Sequence, residues 1–360
     1  MSEEQYVELY KKYKPQTWDD LVGQTKTARS LQTAVVNNKI PTAFLFLGPR
    51  GTGKTSSAFL LAKSLNCQNP IKGGNPCNIC ETCISIDEGS QIGINYESMA
   101  NRGSVDDVRS IVQKAKLSQP VKKQVWILDE IHNLSKAAFD ALLIPLEDKN
   151  MPSLFIFCST EADKIPATIT SRVQQRRLVL VSPEDMLPYL QNIRDKENLD
   201  CGEEDLTEAI RQGRGSVRDT LSALESLLST GETTSSFGGA MLESIASHSL
   251  PDALKVTADA IHEGYDGRDL AEQLFSDLRD LLLLVSGVDK SVAGTINVSD
   301  VRSVAKGLIG KTGIAIVAEE IADAITHMTL GSDSRIHFEI ALVKSITKLN
   351  KLQKAVDAKS

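Results

Sequence analysis

Eight residues constrain this chain more than any others: Gly48-Pro49-Arg50-Gly51-Thr52-Gly53-Lys54-Thr55, spaced G-x-x-x-x-G-K-T. An apolar run, Ala43 to Leu47, precedes them and reads as a buried parallel strand. Ser56 to Leu65 follows with apolar residues at helical spacing. Strand, glycine loop and helix together aim backbone N–H groups and a helix N-terminus at a polyphosphate. Lys54 supplies a point charge for the β- and γ-phosphates, and Thr55 offers a hydroxyl to Mg²⁺. The candidate nucleotide-binding residues are therefore Gly48, Pro49, Arg50, Gly51, Thr52, Gly53, Lys54, Thr55 and Ser56.

At 360 residues the chain has room for two or three domains with real cores. A net charge of −7 argues against indiscriminate coating of nucleic acid but leaves room for a local basic track. There is no run of 18 or more apolar residues, and the chain opens acidic with Met1-Ser2-Glu3-Glu4, so neither a membrane span nor a signal peptide is expected. The expected compartment is the cytoplasm.

A second apolar run, Val125 to Leu128, ends in Asp129-Glu130-Ile131-His132. Carboxylates emerging at the C-terminal edge of a buried strand lie where open α/β sheets bind ligands. Asp129 suits Mg²⁺ held through its water shell, and Glu130 suits polarising an attacking water. Leu154 to Cys158 reads as another buried strand, ending in Ser159 and Thr160. Ile92 to Tyr96 is a candidate strand too, and Ser104 with Asp107 marks a helix start. Beside that start, Arg102 and Ser104 form a candidate phosphate site for a nucleic-acid backbone; a solvated surface is the alternative. Pro145, inside an otherwise helical stretch, is expected to kink or shorten it.

Four of the six cysteines fall within seventeen residues as C-x9-C-x2-C-x2-C: Cys67, Cys77, Cys80 and Cys83. Four thiolates on one short loop can close a tetrahedron around Zn²⁺, leaving no open position, so the site would be structural. Paired disulfides and unpaired thiols are the alternatives. Cys158 and Cys201 read as buried or incidental, and the histidines other than His132 are scattered without a metal pattern.

The boxes in their order resemble the clamp-loader ATPases of the AAA+ superfamily, and the cysteine quartet resembles the zinc module of the bacterial polymerase III gamma/tau subunits. The segment Tyr10 to Gln24 is similar to the family's opening box, which implies that Tyr10, Pro15 and Val22 cover an adenine. Thr160 sits at the sensor-1 position. Ser171-Arg172-Val173 resembles the Ser-Arg-Cys box, which implies that Arg172 reaches a neighbouring subunit's ATP. Gly215-Ser216-Val217-Arg218-Asp219 resembles the sensor-2 box, which implies that Arg218 leans onto the phosphates of its own subunit. Lys54, Asp129, Glu130, Thr160, Arg172 and Arg218 are thus the candidate catalytic set, with Thr55 and Asp129 for magnesium.

The resemblance implies an α/β P-loop AAA+ domain over residues 1–181, a parallel sheet with flanking helices and a zinc module at 67–83. A small helical lid over 182–232 and an all-α collar over 233–360 would follow, joined at a linker, Thr233 to Gly239. The leucine stripe Leu270, Leu274, Leu278, Leu281 and Leu282 needs covering on several sides, within its domain or between subunits. Without a long proline-rich, basic tail, the chain resembles the short gamma form. Implied partners are a sliding clamp, primer–template DNA gripped by its phosphates, delta- and delta-prime-type subunits and further copies of the chain in a pentamer. Implied cofactors are ATP, Mg²⁺ and structural Zn²⁺. A superfamily-2 helicase shares the P-loop and D-E-x-H but needs a second strand-rich domain. A non-catalytic scaffold subunit would not need Lys54, Thr55, Asp129 and Glu130.

Overall fold

A computed structural model of the chain describes residues 7–100, 102–230, 237–288, 301–328 and 333–358. Two compact units emerge, Met1–Ser229 and Thr230–Ser360.

The first unit is built on five parallel strands: β1 Ala43–Leu47, β2 Ile94–Ser98, β3 Gln124–Asp129, β4 Ser153–Ser159 and β5 Gln174–Arg177. Their order across the sheet is β2-β3-β4-β1-β5. The central strands β1 and β4 are buried at every position, as parallel strands covered on both faces must be. Their side chains alternate between two cores. Leu45, Leu47, Trp126, Leu128, Phe155 and Phe157 pack on one face with Val108, Ile111, Phe139 and Leu142. Phe44, Phe46, Val125, Ile127 and Ile156 pack on the other with Trp18, Leu31, Leu60 and Leu61. Full burial of each such side chain contributes about 1.5–3 kcal/mol, and together they set the register that brings the strand ends level.

Strand β2 runs two residues later than its sequence pattern suggests. Ile92 is exposed, and Gly93 turns through φ +83° before the ladder begins at Ile94. The helix Lys136–Glu147 contains Pro145 and ends two residues beyond it, within the last turn, where one lost N–H costs least. Residues after the sheet form the helices Pro183–Glu197, Glu203–Gly213 and Val217–Thr230 around Met186, Leu190, Leu206, Leu221 and Leu224. The first of these is capped by Ser182, whose hydroxyl accepts the Asp185 backbone N–H.

In the second unit every element among the described residues is a helix. The described residues there supply none of the strands that a second strand-rich domain would require. Leu270, Leu274, Leu278 and Leu281 of the helix Gly267–Val285 are buried within this unit, with Leu282 half-buried. They pack with Ile314, Val317 and Ile321 of the helix Gly310–His327 and with Phe338 and Leu342 of the helix Ser334–Asp357. Of the expected linker, residues 233–236 lie outside the described residues. Phe237, Gly238 and Gly239 instead open the buried helix Phe237–Ala246. Phe237 meets Tyr265 edge-on at 5.2 Å, and a Cβ on Gly238 would stand 2.0 Å from Asp277 Oδ2. The glycine there is needed for close packing and not for a turn.

Candidate functional site: a phosphate-loop cleft

The carboxyl ends of β1, β2, β3 and β4 open into one cleft of ≈ 520 Å³ within the first unit. The loop after β1 turns through Gly51 at φ +71° and Gly53 at φ +93°, and Gly53 caps the helix Lys54–Asn66. Gly51 is packed so tightly that a Cβ would stand 1.8 Å from Ser216 Oγ, and its carbonyl accepts the Val217 N–H at 3.1 Å. This contact places the helix Val217–Thr230 against the loop and brings Arg218 into the cleft.

Lys54 is buried, and its Nζ donates to the carbonyls of Gly48 (2.8 Å) and Pro49 (2.7 Å). Burial pushes its pKa below the ordinary lysine value, against the opposing charges of Asp129 and Glu130. The Thr55 hydroxyl donates to Asp129 Oδ2 at 2.6 Å, joining two motifs that stand 74 residues apart. Glu130 follows in the left-handed region, φ 54°, ψ 42°, and its N–H donates to its neighbour's Asp129 Oδ1 at 2.9 Å. A non-glycine residue held in that region is strained, and such strain concentrates where a side chain must be aimed. Thr160, exposed just past β4, completes the polar rim.

Tyr10, Pro15 and Val22 line the same cleft, and the Arg218 guanidinium lies 4.9 Å from the centre of the Tyr10 ring. Arg50 through Ser56 line it as well. Gly48 and Pro49 contribute through the carbonyls that hold Lys54. Arg172 stands apart. It is tied to Glu147 Oε1 at 2.7 and 2.8 Å and to the Thr168 carbonyl at 2.8 Å, and it does not line the cleft.

Sequence reasoning missed Tyr96 and Ser98. Register places Ser98 opposite Asp129, and Tyr96 Oη donates to Asp129 Oδ2 at 3.4 Å while its ring lies 5.7 Å from that of Phe59. Burial, with Asp129 nearby, pushes the Tyr96 hydroxyl up to about 12. Placing β2 two residues later would have exposed both. Tyr13 was missed too; its hydroxyl donates to Glu197 Oε1 at 2.6 Å, and burial with that bond raises it to about 12. Its signal was the i, i+3 spacing from Tyr10.

The cysteine quartet also comes together. The sulfurs of Cys67, Cys77, Cys80 and Cys83 lie within 4.8 Å of one another, where a tetrahedron of 2.3 Å Zn–S bonds has edges of about 3.8 Å. Cys67 and Cys77 sulfurs accept the N–H groups of Cys77 (3.2 Å) and Cys80 (3.3 Å). Against burial, the N–H groups of Gln68 and Cys83 bring the Cys80 thiol down to about 6, while burial pushes the Cys67 and Cys83 thiols up.

Arg102 pairs with Glu97 at 2.8 Å, and Ser104 caps the helix Val105–Ala115 by accepting the Asp107 N–H at 3.2 Å. Between them, the Gly103 carbonyl accepts the Ser135 N–H at 3.1 Å, so this loop is docked just downstream of Glu130. Cys158 is fully buried and Cys201 half-buried.

Residues 23–181 match a protein family described as DNA polymerase III, delta subunit. Over 94% of its length the chain is 32% identical to DNA polymerase III subunit tau of Bacillus subtilis (strain 168), covering 63% of that protein. It is 32% identical to DNA polymerase III subunit gamma/tau of Mycobacterium tuberculosis (strain H37Rv), over 98% of this chain and 64% of the relative. A solved structure of the Thermotoga maritima RuvB Holliday junction branch migration motor overlaps 86% of this chain and 79% of its own at 15% identity, with a TM-score of 0.44. The chain thus spans just under two thirds of the length of the curated relatives it matches. The match runs along nearly all of this chain's own length, and what the chain is similar to is the bacterial DNA polymerase III gamma/tau subunits.

Proposed function

We propose that this chain is the ATP-hydrolysing AAA+ subunit of a sliding-clamp loader. The observation that carries the catalytic half is the Thr55–Asp129 contact at 2.6 Å beside the buried Lys54. A hydroxyl and a carboxylate on one point suit Mg²⁺ in its water shell, which would neutralise charge on the β- and γ-phosphates. Lys54, now held by two loop carbonyls, would turn to the phosphates. Glu130 would take a proton from a water attacking the γ-phosphorus as the bond to the bridging oxygen breaks, giving ADP and phosphate. Thr160 would orient that water, and Arg218 would respond to the charge of the leaving phosphoryl group.

The remaining assignments rest on the resemblance and on the homologues. Tyr10, Pro15 and Val22 would cover the adenine, and Arg172 would reach the ATP of a neighbouring subunit. Cys67, Cys77, Cys80 and Cys83 would hold a structural Zn²⁺. Residues 1–181 would act as the ATPase domain, 182–232 as its lid and 233–360 as the collar. The assembly would be a pentamer with delta- and delta-prime-type subunits and further copies of this chain, in the cytoplasm. ATP binding would hold a clamp open on primer–template DNA, with Arg102 and the helix behind Ser104 touching its phosphates, and hydrolysis would release both.

Steady-state ATP hydrolysis, with and without primed DNA and the cognate clamp, tests this reading. Stimulation by both together is expected, and Lys54→Ala should lower the rate on the order of 100-fold or more. Hydrolysis indifferent to DNA and clamp, in the chain alone and in its co-purified complex, would point to a different machine.

A further inference from the structure

The cysteine insert and the nucleotide cleft share one short segment. Residues Gln16 to Trp18 separate two stretches that line the cleft, Tyr13–Pro15 before and Asp20–Val22 after. Asp20 Oδ2 accepts the N–H groups of Gln16 and Thr17 and the Thr17 hydroxyl, and the insert holds three further polar groups. The Trp18 N–H donates to Asn75 Oδ1 at 2.8 Å, and its indole Nε1 to the Gly74 carbonyl at 3.3 Å. Asn78 Nδ2 donates to the Gln16 carbonyl at 3.0 Å. Lys63 Nζ, almost wholly buried, bridges Gln16 Oε1 (2.7 Å) to both carboxylate oxygens of Asp87 (2.7 and 2.9 Å) in the helix Glu81–Asp87 that also carries Cys83.

The orientation of this segment bears directly on the cleft. Trp18 is 1% exposed and opens a single helical turn, Trp18–Asp20, that delivers Leu21 to within 3.7 Å of where a Cβ on Gly53 would stand. What the segment presents is mainly aromatic and apolar, Tyr13, Pro15, Leu21 and Val22, with the charged Lys14 and Asp20 between them. Such aromatic and apolar groups suit the flat base of a nucleotide, whereas the phosphate end is built from Lys54 and Thr55. Asn75 is itself buried, so its oxygen is placed to meet one N–H and little else.

We propose that Asn75 and Asn78 are positioning residues for nucleotide binding, fixing through Gln16 and Trp18 the wall against which the base rests. The proposal rests on the nucleotide-binding reading of the cleft. It makes the cysteine insert part of the affinity for ATP although no cysteine reaches the cleft.

Equilibrium binding of ATP and of inorganic tripolyphosphate to the full chain separates the two ends of the site. Asn75→Ala leaves the buried Trp18 N–H without its acceptor and should weaken ATP about tenfold, with tripolyphosphate affinity held to within about twofold. Asn75→Asp keeps an oxygen acceptor and should recover most of the ATP affinity. Asn78→Ala, which removes only the contact to Gln16, should give a smaller loss of the same selectivity. Equal loss of both ligands in Asn75→Ala, or undiminished ATP affinity there and in Asn78→Ala, would overturn the proposal. Wild-type protein that binds neither ligand would instead sink the nucleotide reading, before any variant is made.

Discussion

Among single residues, Glu130 carries the sharpest consequence. Its backbone sits at φ 54°, and its N–H is engaged by the Asp129 carboxylate that also accepts from Thr55. The chain thus spends strain on a residue whose side chain has no part in the Thr55–Asp129 contact. That division of labour predicts a division of effects. If Glu130 is the base, Glu130→Gln keeps the shape and the hydrogen-bonding reach but removes that function, so hydrolysis should fall roughly 10²–10⁴-fold. On the proposed reading binding rests on Lys54, Thr55 and Asp129, so affinity for ATP should change by less than about threefold. Parallel loss of binding and turnover would assign Glu130 to ligand binding and leave the reaction without its base.

At the level of elements, legibility followed the strength of the local signal. The largely buried strands β1, β3 and β4 and the phosphate loop were read within a residue or two, because apolar runs and glycine spacing leave few alternatives. Strand β2 is an edge strand of half-buried residues, so its start is set by Gly93 and not by hydropathy. That two-residue shift is why Tyr96 and Ser98 were invisible at the site. The start of the helix Phe237–Ala246 looked like a linker because Gly238-Gly239 spells a turn, and only the approach of Asp277 explains a glycine there. The cysteine insert was read from spacing alone, and its geometry gives a test. Sulfurs within 4.8 Å of one another, with little apolar core of their own, predict that a bound metal contributes to stability. Cys80→Ser, or a strong chelator, should lower the melting temperature by roughly 5–10 °C. Elemental analysis should show about one zinc per wild-type chain and less in the variant. Metal-free protein with an unchanged melt would return the quartet to plain thiols.

For the whole molecule the telling residue is Arg172, because the first unit builds a cleft with Lys54, Asp129, Glu130, Thr160 and Arg218 in place and leaves this arginine outside it. It is held on the surface by Glu147 and the Thr168 carbonyl, with 37% of its side chain exposed. An exposed ion pair of this kind contributes little to stability, so Arg172→Ala should fold as the wild type does. If the arginine completes a neighbour's site, the loss of activity must belong to the interface between copies. Lys54→Ala and Arg172→Ala would each be inactive alone. Mixed in equal amounts and allowed to reassemble, they would create sites with an intact Lys54 on one subunit and an intact Arg172 on the next. Random placement makes these about a quarter of the sites between neighbouring copies, so about a quarter of the rate that such sites supply should return. An arginine acting within its own subunit predicts no recovery, because every chain in the mixture still lacks one of the two groups. Recovery that disappears on dilution would tie the restored rate to assembly, since only a contact between copies depends on concentration in that way.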